Sequence, residues 1–441
     1  GLVEKIKEFF TPPKPIESGF YHSRLDNPES DEYIRLHLRI GNDQEGTLIV
    51  NASKVVHLNK TATEMARYII EGLGDDQIVK KLKSRYHVKE ITLKSDLNKF
   101  FEFINDLAND KPNLENTGFQ LSYVPPYNLK TKAPYRVDLA LTYRCNNNCN
   151  HCYVERPREF NEISTDEWKK IIDILWNKTV PQITFTGGEA TLREDLVDLI
   201  NYAEDRGMVT GLITNGRRLA DKEYLEILIK AGLDHVQITL ESSNKDIHNK
   251  MTGSDSYDET VQAIKNCLEA GIPVITNTTI TYDNLQSIND MIHFLRNLGL
   301  VTFACNAIIE AGGGKTFEKA IKIDDMVSAV DNIRILAEEL DMNFIWYSPT
   351  KYCELNPIEI GVGLKQCSAG KHNLCIEPNG DVIPCQSYYY PLGNLLKDDW
   401  KFIWEHQILN SLRNYEYTST ECKKCDQLPI CGGGCPLAGG Q

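Results

Sequence analysis

Three thiols crowd one short run of the 441-residue chain: Cys145, Cys149 and Cys152, within Thr142-Tyr-Arg-Cys-Asn-Asn-Asn-Cys-Asn-His-Cys-Tyr153. The run follows the strand-like Arg136-Val-Asp-Leu-Ala-Leu141. Three thiolates on one loop can hold three irons of a [4Fe–4S] cube and leave the fourth open to substrate chemistry. A structural zinc ion would need a fourth ligand and a closed tetrahedron. His151 adjoins Cys152, a poor geometry for chelating the same ion with it.

A second constellation is Thr186-Gly-Gly-Glu-Ala190. Gly187 and Gly188 let the backbone approach a neighbour closely, and the Glu189 carboxylate follows. Further polar residues fall at the ends of apolar runs: Thr214 and Asn215, Thr239 and Glu241, and Asn277. Each alone is an ordinary strand-end hydrogen-bonding residue; their order along the chain carries the weight. A third constellation is C-terminal. It comprises Cys353, Cys367, Cys375, Cys385, Cys422, Cys425, Cys431 and Cys435. Pro378-Asn-Gly-Asp-Val-Ile-Pro-Cys385 reads as a hairpin turn presenting a ligand. Four of these cysteines, at 422, 425, 431 and 435, would also suffice to close a zinc site. Cys267 and Cys305 sit in apolar patterns and read as core residues.

The elements that must position these groups are legible in the periodicity. From Arg136 to about Glu310, strand and helix patterns alternate, which predicts parallel β/α architecture. Predicted strands are 137–141, 182–185, 211–213, 235–240, 274–279 and 302–305. Predicted helices are 164–177, 192–206, 222–231, 257–270 and 285–298, the first opened by a capping box of Ser164 and Glu167. Chemistry in such folds collects at the carboxyl ends of strands, where the cysteine loop falls. Before this region, strands at 33–40, 47–50 and 54–58 precede helices at 59–72, 75–86 and 93–107, a small winged-helix-like unit. Residues 109–134 are polar and Pro-rich, a linker. Residues 311–350 read as a bridging region. From 351 to 441 the chain is Cys-rich, with one longer helix at 400–413.

Composition bounds the rest. The formal net charge of −14 disfavours nucleic-acid binding as the main task. No apolar stretch is long enough to span a bilayer. The start, Gly1-Leu-Val-Glu-Lys-Ile-Lys-Glu-Phe-Phe10, has the charge pattern of a short amphipathic helix without the features of a secretion signal. A cytoplasmic location is expected. There, the clustered members of the 13 cysteines read as metal ligands rather than disulfides.

The Cys-x3-Cys-x2-Cys spacing, followed by the Gly-Gly-Glu motif, resembles the signature of the radical S-adenosylmethionine enzymes. The later cysteines, Cys367, Cys385 and then Cys422-x2-Cys425-x5-Cys431-x3-Cys435, resemble the SPASM extension of that family. Residues 31–108 resemble the domains that bind leader peptides of ribosomally made, modified peptides. His57-Leu-Asn59, the helix ending at Gly72 and Asp76-Gln-Ile-Val-Lys-Lys-Leu carry that likeness.

These resemblances imply a fold and a task. The fold would be a partial (β/α)6 TIM barrel over 135–310, with an N-terminal winged-helix-like domain over 1–108 and a C-terminal SPASM domain over 351–441. Cys145, Cys149 and Cys152 would bind the catalytic [4Fe–4S] cluster. Glu189 with Gly187 and Gly188 would receive the methionine amino group of S-adenosylmethionine. His151, Thr214, Asn215, Thr239, Glu241 and Asn277 would complete the cradle. Relatives place an Arg near the cofactor carboxylate; here Lys250 or Thr252 stands there. Two auxiliary [4Fe–4S] clusters would bring the total to three. Cys367, Cys385 and Cys435 would hold the first. Cys353 or Cys375 would add its fourth ligand, with Cys353 slightly preferred. Cys422, Cys425 and Cys431 would hold the second, whose usual last Cys, beyond Cys435, is missing from this sequence.

The implied activity is hydrogen abstraction from a core residue of a precursor peptide, forming a thioether, a carbon–carbon crosslink or an epimer. A flavodoxin- or ferredoxin-type donor would supply the electron. A sulfatase-type maturase is an alternative, but Gln386 stands where those relatives carry an Asp. A maturase of a small cofactor or haem precursor is another. A non-catalytic iron–sulfur or zinc scaffold fits poorly beside an intact Gly187-Gly-Glu189.

Overall fold

A computed structural model describes residues 15–26, 33–109 and 131–438. The expected N-terminal amphipathic helix and most of the expected linker lie outside the described residues. The chain divides into two compact units, Gly1–Val124 and Pro125–Gln441.

In the first unit, β1 (Gly19–Asp26), β2 (Tyr33–Ile40), β3 (Gly46–Val50) and β4 (Lys54–Leu58) form an antiparallel meander in that order. Helices Lys60–Ile70, Asp75–Arg85 and Glu90–Ala108 follow. Leu36, Leu38 and Leu48 of the sheet bury against Met65, Ile78, Leu82 and Phe100 of the helices. Asn59 caps the first helix by accepting the Ala62 N–H at 2.9 Å, which satisfies one of its orphan donors. Buried Glu64 accepts from the Arg85 guanidinium (3.0 Å) and from the Tyr86 hydroxyl (2.7 Å), tying helix to helix. The edges of this sheet are β1 and β4. β1 escaped the sequence reading because Gly-Phe-Tyr-His-Ser-Arg-Leu-Asp has an apolar face too sparse to mark a period.

The second unit is built on one sheet of ten strands. β5 (Arg136–Thr142), β6 (Gln182–Gly187), β7 (Val209–Thr214), β8 (His235–Thr239), β9 (Val274–Thr279), β10 (Thr302–Asn306) and β11 (Asn343–Trp346) run parallel in sequential order. β12 (Asn373–Ile376) lies parallel on the far side of β5; β13 (Asp381–Ile383) and β14 (Gly393–Asn394) continue antiparallel. The core is the sheet's apolar side chains, such as Phe185 and Phe303, packed on helix residues such as Trp168, Leu199 and Leu295. The capping box at Ser164 and Glu167 is formed, and its helix runs Thr165–Asn177.

Three spans differ from expectation. The stretch read as bridging contributes a full helix, Ile323–Glu339, and the seventh parallel strand β11. β11 has four residues, too few for a period to show. The helix expected at 192–206 begins at Leu196, after a 3-10 turn at Ala190–Leu192. The helix expected at 400–413 is two helices, Trp400–Trp404 and Gln407–Arg413. His406 separates them in extended conformation, its ring accepting the Ile408 N–H.

Candidate functional site

The cysteine loop follows β5, and its conformation is fixed from several sides. At the end of β6, Gly188 donates to the Thr142 carbonyl (2.7 Å) and Glu189 to the Arg144 carbonyl (2.8 Å). Gly187 adopts φ +139°, and a Cβ there would stand 2.1 Å from the Thr142 carbonyl oxygen. One at Gly188 would stand 2.5 Å from the Tyr143 and Arg144 carbonyls. The two glycines therefore let β6 press its end against the root of the cysteine loop. Asn148 donates to the carbonyl of Thr252 at 2.8 Å, so helix Lys245–Thr252 grips the loop's middle. Lys250 instead pairs with Asp283 at 2.7 Å. Gly313 donates to the Cys152 carbonyl at 2.7 Å. A Cβ at Gly313 would meet the Asn150 carbonyl at 2.4 Å. Arg158 folds back to donate to the carbonyls of Cys145 (2.6 Å) and Asn147. Arg217 donates to the carbonyl of Asn146.

Within this frame the thiols of Cys145, Cys149 and Cys152 lie in one another's electrostatic field. Burial raises the pKa of each. The Asn147 N–H donates to the Cys145 sulfur at 3.4 Å. Among the described residues no group of three or more His, Cys, Asp or Glu is arranged to hold a single metal ion.

Beside the loop lies a buried carboxylate. Glu189 accepts from the hydroxyls of Thr191 (2.7 Å) and Thr214 (2.8 Å) and from the backbone N–H groups of Thr191 (3.1 Å) and Asn215 (2.8 Å). Asn215 donates its side-chain amide to Asn146 on the cysteine loop at 2.7 Å. One strand further, Glu241 bonds His151 at 3.0 Å and accepts the Thr279 N–H at 2.9 Å. Burial alone would lower the His151 pKa, but Glu241 outweighs it and the pKa is raised. Thr239 pairs in register with Asn277. Asn277 donates its side-chain amide to Asn306 at 2.9 Å, while its side-chain oxygen Oδ1 is buried without a hydrogen-bond partner. The His151 Nδ1 is likewise buried and unpartnered. Such orphans at the ends of β8 and β9 and on the cysteine loop suit a polar ligand that has amino, hydroxyl and carboxylate groups to offer. The residues present thus fit S-adenosylmethionine and a three-thiolate cluster.

Sequence reasoning missed several of these groups. Arg158, Arg217 and Gly313 act on backbone carbonyls of the loop, and the two arginines carry no motif of their own. The Gly312-Gly-Gly314 triplet was a readable signal, because three adjacent glycines mark a close backbone approach.

The C-terminal cysteines fall into neighbourhoods. Cys367, Cys385 and Cys435 lie in one another's field, and burial raises all three, Cys367 to about 12. Lys365 and Lys371 flank Cys367, and burial lowers both to about 8. Cys375 is fully buried in a small apolar cluster with Ala140, Tyr143 and Ile383. Cys353 is exposed on a turn, and Lys351 on the same turn feels both Cys422 and Cys353. Gln386 links the cysteine loop to this region: its side-chain carbonyl accepts from the Tyr153 hydroxyl at 2.7 Å and the Thr186 hydroxyl at 3.5 Å. Arg156 and Tyr143 both bond buried Glu377, at 2.7 and 3.0 Å. Among the described residues no helix is long and apolar enough to cross a membrane.

Comparison with known proteins agrees with this geometry. Residues 139–295 match the family model of the radical SAM superfamily. Residues 367–426 match SPASM, an iron–sulfur cluster-binding domain. Fe-coproporphyrin III synthase of Methanosarcina barkeri is 29% identical over 324 residues, covering 66% of this chain and 81% of its own. The antilisterial bacteriocin subtilosin biosynthesis protein AlbA of Bacillus subtilis is 27% identical over 396 residues, covering 87% and 84%. The crystal structure of Streptococcus suis SuiB bound to precursor peptide SuiA superposes with a TM-score of 0.67 at 17% identity, covering 94% of this chain and 96% of that one. At that identity the likeness shows the fold. With the cysteine loop and buried Glu189 in place, the chain carries a radical SAM domain followed by an iron–sulfur cluster-binding SPASM domain.

Proposed function

We propose that this enzyme modifies a ribosomally made precursor peptide, using one catalytic and two auxiliary [4Fe–4S] clusters. The observation that carries the catalytic part is the junction of the Cys145, Cys149 and Cys152 loop with the buried Glu189 carboxylate. When bound, the catalytic cluster and S-adenosylmethionine supply one-electron chemistry that removes a hydrogen atom from an unreactive carbon. The chain's own residues do the rest. Cys145, Cys149 and Cys152 hold three irons. Glu189 offers a carboxylate to the cofactor's amino group, and Asn277, Thr239 and Thr214 offer polar contacts along the strand ends. Tyr153, Thr186 and Gln386 form a polar wall between the cysteine loop and Cys385. Gln386 cannot serve as a carboxylate base, which counts against the sulfatase-maturase reading. A flavodoxin- or ferredoxin-type protein would deliver the electron.

The first unit supports a peptide substrate. It has its own core and an edge strand, β4, which among the described residues pairs with β3 on one side and offers the other to an added strand from a leader segment. On β4, His57 Nε2 is buried without a hydrogen-bond partner, and Val55 is exposed. The AlbA match, at 87% of the chain, is longer than the second unit and so extends into the first. AlbA is named for bacteriocin biosynthesis, and SuiB was crystallised with its precursor peptide. A small-precursor reading draws on Fe-coproporphyrin III synthase, whose match covers 66% of the chain, but it leaves the first unit without a task. Co-expression with short peptides encoded beside its gene, followed by mass spectrometry, separates the two. A mass change confined to a peptide's core supports the peptide reading; none with any such peptide contradicts it.

A further inference from the structure

Cys353 and the three cysteines of the second auxiliary set are brought together by backbone contacts. The turn Lys351–Glu354 closes through Glu354 and Leu355 N–H groups onto the Lys351 carbonyl, each at 2.9 Å. Tyr352, the residue before Cys353, donates its N–H to the sulfur of Cys431 at 3.3 Å. That sulfur also approaches the Thr350 carbonyl at 3.9 Å. Lys351 feels the thiols of Cys422 and Cys353 together. Cys425 is joined to Cys422 by a turn, donating to its carbonyl at 3.0 Å. In contrast, Cys367, Cys385 and Cys435 interact with one another, and Cys353 is not among the charges acting on them. Cys375 does lie in the field of Cys385, one of that trio. Its side chain is buried with Ala140, Tyr143 and Ile383, whereas Cys367 and Cys385 pack against the main core.

We propose that Cys353 is the fourth thiolate of the Cys422, Cys425 and Cys431 set and not of the Cys367, Cys385 and Cys435 set. The assignment moves Cys353 from the first auxiliary cluster, where the resemblance puts it, to the second. It rests on the reading that both sets hold iron–sulfur clusters. Its consequence is that Cys375, in the field of Cys385, is left as the candidate fourth thiolate of the first set.

The test uses the full chain, reconstituted anaerobically, with Cys145, Cys149 and Cys152 changed to Ala to silence the catalytic cluster. One background adds C367S/C385S, and the other adds C422S/C425S. Cys353→Ala is then introduced into each. In the first background it is expected to remove about four irons per chain or to shift the electron paramagnetic resonance signal. In the second, iron content and signal are expected to be unchanged. The reverse pattern, an effect in both backgrounds, or an effect in neither overturns the assignment. If neither background binds iron before Cys353 is touched, the auxiliary-cluster reading itself fails with it. Should a background not fold, the unaltered enzyme gives a second measurement. Under stepwise chelation, Cys353 is expected to become alkylated in step with Cys422 and Cys425. Labelling in step with Cys367 and Cys385, or at full rate before chelation, overturns the proposal.

Discussion

At the scale of single residues, the site works by satisfying charge in a buried place. Glu189 is 1% exposed and carries four accepted hydrogen bonds, which is what a buried carboxylate requires. Glu189→Gln should weaken S-adenosylmethionine binding at least ~10-fold and cost roughly 1–3 kcal/mol of stability, since an amide cannot accept all four bonds. Equilibrium dialysis and denaturant titration check the two effects. Gly187→Ala acts through backbone alone: at φ +139° and 2.1 Å from a carbonyl oxygen, the new methyl group must displace the cysteine loop. A loss of about 3 kcal/mol or more is expected. At this scale the sequence was most informative where chemistry leaves a spacing behind, as at Cys145, Cys149 and Cys152. It was silent on Arg158 and Arg217, because a long side chain that reaches a distant carbonyl leaves no local trace. The pairing of His151 with Glu241, 90 residues apart, was likewise invisible until the strands were assembled.

At the scale of elements, the helix Lys245–Thr252 and the strands around it act as a clamp on the cysteine loop. His248 sits at its centre, accepting the Glu241 N–H at 3.2 Å and meeting Ser256 at 3.2 Å. Burial lowers its pKa from 6.5 to about 4. A histidine held neutral in the fold takes up its proton more readily when unfolded. Its contribution is therefore complete above pH ~6.5 and is lost progressively as pH falls towards ~4, by up to about 3 kcal/mol. His248→Gln should flatten that part of the stability profile, measured by denaturation between pH 4 and 7. Helix and strand positions were largely legible, because periods of 3.6 and 2 persist over long elements. The capping box at Ser164 was readable for the same reason: it is local. β11 and the break at His406 were not legible. A four-residue strand has no period, and the break depends on one residue's backbone rather than on a helix-breaking residue type.

At the scale of the whole molecule, the second unit is a radical SAM sheet extended by its own C-terminal segment. β12 pairs beside β5, so Cys375 on it and Cys385 just after β13 are fixed to the same sheet as the catalytic loop. This continuity was only half visible, since no sequence pattern announces that a strand 230 residues downstream will pair with the first barrel strand. The first unit makes a separate claim, that a leader segment docks on β4. Val55→Asp should raise the dissociation constant for a leader peptide at least ~10-fold while leaving peptide-independent cleavage of S-adenosylmethionine unchanged. Fluorescence anisotropy with a labelled leader reads the first effect, and chromatography of the cleavage products reads the second.

The central claim is that Cys145, Cys149 and Cys152 hold a cluster with one iron left for S-adenosylmethionine. Its most direct measurement is release of 5′-deoxyadenosine by anaerobically reconstituted, reduced enzyme. Release is expected from the unaltered chain and should vanish in the variant with all three cysteines changed to Ala, while the iron of the C-terminal cysteines is retained. Release that persists in that variant, or zinc in place of iron at the loop, would contradict the account.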